Sequence, residues 1–139
     1  MSLIQVGPIY INPSSLTGVS DVQKTRAPDG GSASYSFAIY LEGSMTSVVS
    51  DDEARAKAMH DKVRNRINPG FRFSSGGVTL STPAVNSIGA VSSEPTREDP
   101  EAAGFLVQMD GVTVNLQYVN AEKANEGRSA LVEKIGLDS

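Results

Sequence analysis

The stretch Phe37-Ala38-Ile39-Tyr40-Leu41-Glu42-Gly43 returns sixty-eight positions later as Phe105-Leu106-Val107-Gln108-Met109-Asp110-Gly111. Both copies open on Phe, close on Gly, and carry branched, apolar and acidic residues in the same order between. The register continues past the Gly without a gap, so that Ala56 falls on Ala124, Val63 on Leu131, Arg66 on Lys134 and Ile67 on Ile135. Over those 31 positions only the Phe, the Gly, one Ala and one Ile are identical, so pattern rather than identity carries the match. The expectation is a tandem duplication of a β-β-β-β-α unit, with residues 1–69 as the first copy and 70–139 as the second. A unit of that size buries too little apolar surface to stand alone. The two are therefore expected to share one compact domain of α+β class, mostly β. They would pair as a sandwich, or close into a barrel-like body, about a pseudo-two-fold axis with two helices.

The local signals follow that order. Leu3, Ile4 and Val6 precede Gly7-Pro8, and Ile9 and Ile11 flank Tyr10 before Asn12-Pro13, which reads as strand, kink, strand. Leu16 to Val22 extends it as a short strand. Gln23 to Ser34 is polar, with Pro28-Asp29-Gly30 supplying turn geometry, and reads as a long hairpin loop. Tyr35, Phe37, Ile39 and Leu41 alternate at period two, the mark of a half-buried strand, and Met45 to Val49 returns it. Ser50 with Glu53 predicts a capping box, and Ala56, Met59, Val63 and Ile67 put one apolar stripe on the helix that follows. Asn68-Pro69-Gly70 stops it.

In the second copy, Phe73, Val78 and Leu80 stand for the first strands and Gly76-Gly77 for Gly7-Pro8. The loop from Ser92 to Gly104 is again long and polar. Val112, Val114, Leu116 and Tyr118 alternate, Asn120 is the predicted N-cap, and Ala124, Leu131 and Ile135 form the stripe. Gly127 sits mid-helix at a cost of about 1 kcal/mol against Ala, which implies a close contact or a looser helix. The order of an Asn-Pro strand, an apolar strand ending in Gly and a short helix resembles that of small flagellar FlbD-type modules. The resemblance covers one unit at a time, and so short a motif implies no function.

Charge and composition remove several function classes. Of the net charge of −4, residues 1–69 contribute nothing, with seven basic and seven acidic side chains, while residues 70–139 hold five and nine. An acidic half binds phosphate backbones poorly, so no nucleic-acid partner is expected. No apolar run reaches membrane-spanning length and no secretory signal opens the chain, so the expected place is the cytoplasm or the inside of a particle. With no Cys, thiolate metal sites and Cys nucleophiles are excluded.

His60, the single His, has no partner at ligand spacing and reads as a surface or boundary residue. Asp51, Asp52 and Glu53 are explained by helix capping. Neither Gly30-Gly31 nor Gly76-Gly77 leads from a strand into a helix as a phosphate loop would. Serines abound, but none has a visible base. The expectation is no enzyme, no cofactor and no metal.

What remains is the pair of long loops, uncommon in a compact domain unless they bind something, and expected to be held by neighbouring molecules. The candidate protein contacts are Arg26 and Asp29 in the first loop, Glu98, Asp99 and Glu101 in the second, and Arg64 and Arg66 on the basic helix. Acidic loop against basic helix suggests charge-complementary self-association. The expected function is a non-enzymatic structural or assembly subunit, contacting copies of itself or other proteins in a homo-oligomer, such as a phage or virus particle component. A soluble regulatory or ligand-binding module, with a groove between the two units, is the alternative.

Overall fold

A computed structural model of the protein describes residues 2–26 and 30–136. The chain opens on a hairpin of β1 (Ile4–Val6) and β2 (Ile9–Ile11), turned by Gly7 at φ 58°. The Asn12 side chain accepts from the Ser14 amide and caps a 3-10 turn, Pro13–Ser15. Strands β3 (Leu16–Ser20), β4 (Gln23–Arg26), β5 (Ala33–Leu41) and β6 (Ser44–Ser50) follow, then helix α1 (Glu53–Arg64). A 3-10 turn, Pro69–Phe71, leads into a second hairpin of β7 (Arg72–Ser75) and β8 (Val78–Ser81). After the 3-10 turn Thr82–Ala84 come β9 (Val85–Ile88), β10 (Ser92–Ser93), β11 (Ala103–Met109), β12 (Val112–Tyr118) and helix α2 (Ala121–Ile135). The protein is thus mostly β, with two helices and several sheets, none closed.

Two short strands that sequence patterning leaves as loop are present. β4 pairs with the first part of β5, and β10 with the start of β11. All four β4 side chains are exposed, so no apolar alternation announces it. Its place is fixed by the backbone ladder alone. In both halves the central strand takes two partners along one edge: β4 and β3 on β5, β10 and β9 on β11. A register shift falls between Leu16 and Gly18 where β3 joins β5, and at Gln108/Met109 where β9 joins β11. One extra residue, Thr17 in the first case and Asn86 in the second, bulges from the ladder at matching places.

The helix caps divide. Asn120 caps α2 as expected, accepting from the Lys123 amide. The cap of α1 is Asp52, which accepts from the Arg55 amide, rather than Ser50; Ser50 instead accepts from the Asp52 amide one turn earlier. The stripe of α1 buries Ala56 and Val63, and Ile67 is buried beyond the helix end. Gly127 is required by contact: a side chain there would strike the ring and hydroxyl of Tyr118.

Two clusters form the core. Val6, Ile11, Val19, Phe37, Ile39, Val48 and Val63 make the first; Phe73, Val78, Leu80, Phe105, Val107, Leu116 and Leu131 anchor the second. β5 serves both, because successive side chains leave a strand on opposite faces. Phe37 and Ile39 enter the first cluster, while Ala38 and Tyr40 pack against the second.

The halves meet along a strand ladder and at a pair of turns. β3 pairs antiparallel with β8, Gly18 opposite Leu80, Val19 opposite Thr79 and Ser20 opposite Val78. The tight turns after β5 and β11 also meet, the Gly43 amide donating to the Asp110 carbonyl at 2.7 Å. Both turn glycines have positive φ, 76° at Gly43 and 81° at Gly111. A Cβ on Gly43 would meet open space, whereas one on Gly111 would lie 2.6 Å from the Gly43 Cα. Gly43→Ala is expected to cost only backbone strain, about 1–3 kcal/mol. Gly111→Ala should cost measurably more than Gly43→Ala in urea unfolding, since it also forces the two turns apart.

Candidate protein interface

The charged residues singled out from sequence lie on separate elements. Arg26 ends β4, exposed, opposite Ala33. Asp29 lies outside the described residues. Arg64 closes α1 with its guanidinium 3.6 Å from Asp61, and its Nε is buried without a bonded partner. Arg66 is exposed just past the helix. Glu98 and Glu101 are exposed in the loop before β11, and Asp99 is half-buried there. Among the described residues no ion pair joins these acids to Arg64 or Arg66. Charge complementarity within one molecule is therefore not what places them.

The acidic loop is held by its own chain. The Asp99 amide donates to the Thr96 hydroxyl and the Thr96 amide to the Asp99 carbonyl, both at 2.9 Å. The Glu94 amide bonds the Ala102 carbonyl at 2.8 Å, and its carboxylate accepts from Asn115 at 3.1 Å. These bonds tie the loop back onto itself and onto β12. Glu101 borders a shallow depression of about 490 Å³ with Ser92, Asn125 and Arg128, and Asp99 a separate one of about 250 Å³ with Glu94 and Tyr118. Arg128 is committed to the main chain, its Nε donating to the Gly89 carbonyl at 2.7 Å.

His60 is not a surface residue. It is buried, its ring edge-on to Phe37 at 5.7 Å, with Nδ1 3.1 Å from the Asp61 carboxylate. It shares the buried face of α1 with Ala56 at i−4 and Val63 at i+3, a position that the spacing of the apolar stripe alone does not announce. Among the described residues no group of three His, Asp or Glu stands close enough to hold a metal.

Large apolar side chains left at the surface mark the molecule more distinctly than its charges. Tyr10 and Leu3 stand out on and before the first hairpin, Met45 and Val49 on the outer face of β6, and Leu106 on β11. Tyr10 was legible as the outward member of Ile9-Tyr10-Ile11. That β2, β6 and β9 are edge strands was not, because pairing across distant segments leaves no local trace. No protein-family model, curated protein or solved structure matches the chain.

Tyr118 bridges the acidic loop and the second core, its ring stacked on Phe105 and its hydroxyl 2.8 Å from the Ser75 hydroxyl. Burial raises the Tyr118 phenol above its ordinary value, partly offset by that bond, and burial raises Tyr40 likewise. A phenol raised in the folded state ionises first in the unfolded chain, near pH 10. The stability it contributes is intact below that pH and is lost as pH rises through the folded value. Tyr118→Phe should lower stability at neutral pH by about 1 kcal/mol through the lost hydrogen bond. It should also flatten the alkaline fall in urea midpoint relative to the wild type.

Proposed function

We propose that this chain is a structural or assembly subunit without enzymatic activity, built from two copies of one unit and working by contact with further copies of itself in a larger particle, such as that of a phage or virus. The observation that carries the reading is the set of open strand edges with large apolar side chains beside them. β6 is an edge strand with Met45 and Val49 exposed at alternate positions, and the first hairpin forms a separate two-stranded sheet with Tyr10 exposed. Soluble proteins blunt such edges with charges, proline or cover, because an unpaired edge with apolar flanks recruits another chain. The matching element order, the shared bulge position and the sixty-eight-residue offset of β6 and β12 support the duplication. The exposed charges at Arg26, Arg66, Glu98 and Glu101 then steer encounter rather than hold the contact.

Light scattering of the purified protein across concentration, at low and high salt, tests this. The expected result is a mass above 14.6 kDa that grows with concentration and survives high salt. A mass of one chain at every concentration contradicts self-assembly and favours a ligand-binding module.

A further inference from the structure

The seam between the halves shows what the second half lacks. In β8, Thr79 is 2% exposed because β3 lies along its outer edge. The corresponding residue of the first hairpin is Tyr10, at the same distance from a two-residue turn, and it is 64% exposed. On the receiving side, Thr17, Val19 and Ile67 around β3 are buried. Their counterparts around β9, Asn86, Ile88 and Ile135, are exposed, half-buried and 43% exposed. Val85, Ile88, Val132 and Ile135 line a depression of about 270 Å³ there. Ala38, packed against the second core, has as its counterpart Leu106, which is 52% exposed. Positions buried beside the β7–β8 hairpin in the first half are thus exposed or half-buried at their counterparts in the second.

The backbone groups match as well. The Asp21 amide donates to the Gly77 carbonyl, so alternation along an antiparallel pair makes Val19 and Thr79 the next closely bonded pair. On β9 the Gly89 amide donates to the Leu106 carbonyl, which turns the N–H and C=O of Ile88 away from β11. The two-residue turn of the first hairpin likewise bonds Val6 to Ile9 and turns the N–H and C=O of Tyr10 away from β1. Among the described residues no strand pairs with either edge.

We infer that the β1–β2 hairpin of one copy adds to the free edge of β9 in another, Tyr10 opposite Ile88, repeating between molecules the β3–β8 seam within one. The inference rests on the assembly reading above and names its surface and its occupant, a second copy of this chain. The relation is head-to-tail: each copy offers a hairpin at one end and an edge at the other, so the contact is heterologous and generates a ring or an open filament rather than a symmetric pair. Main-chain bonds and the cover gained by Leu3, Leu106 and Ile135 hold it, so it is insensitive to salt.

The chain has no Cys, so engineered thiols report cleanly. Directly opposed residues of an antiparallel pair lie within disulfide reach. Tyr10→Cys and Ile88→Cys proteins, mixed and mildly oxidised, are expected to form a two-chain disulfide far faster than either protein alone. Ile88→Pro removes an outward N–H without breaking a bond to β11, and is expected to keep the native circular dichroism while reducing the scattering mass to one chain. If it misfolds, the thiol pair still decides. An oligomer that withstands Ile88→Pro and yields no mixed disulfide overturns the hairpin contact but leaves assembly standing. A wild-type monomer at every concentration overturns both.

Discussion

Gly18 and Val19 of β3 pair with β5 on one side and with β8 on the other, and the rest of the molecule depends on that position. β3 is the strand through which the six-stranded sheet passes from elements of the first half to elements of the second. Gly18 makes the approach possible: a Cβ there would fall 2.9 Å from the Thr79 carbonyl and crowd both Leu80 and Tyr40. With Gly, the backbone of β8 comes within bonding distance while Tyr40 crosses from β5 into the second core. Two clusters, each small for a folded protein, are thereby fastened through one ladder and one shared strand. A unit of about 70 residues gains from a neighbour the burial it cannot provide for itself.

That dependence gives the surface its meaning. A hairpin covered on its outer edge and a hairpin bare on the same edge occur in one chain, and so do a filled and an empty acceptor. On the proposed reading, the neighbour contact that the first half has inside the molecule is one the second half finds in another copy. Apolar side chains at Leu3, Tyr10, Leu106 and Ile135 then have a physical reason to be where they are, rather than counting as scattered surface residues.

Much of the architecture could be read from local pattern. Phe37 and Ile39 alternate because the strand has one face on a core, and Asn120 precedes α2 because its side chain satisfies the Lys123 amide. Where the signal depends on partners far along the chain, the sequence is silent. β4 has four exposed residues and exists only because β5 offers an edge. The burial of His60 follows from the position of Phe37, and the choice of Asp52 over Ser50 as cap from where the backbone leaves β6. Open strand edges, on which the proposed interface rests, are a property of pairing and leave no mark on residue type, unlike the charges of Glu98, Glu101 and Arg66.

The central claim is that the β3–β8 seam makes the two cores one cooperative structure. Native-state hydrogen exchange at the amides of Val19 and Thr79 tests it most directly, compared with Phe37 in the first core and Phe105 in the second. If the seam holds the structure together, all four exchange only through the same global opening and share one free energy, as the most stable amides of a single cooperative unit do. Fast exchange at Val19 and Thr79 while Phe37 and Phe105 stay protected would show that the cores stand independently, and would contradict the account.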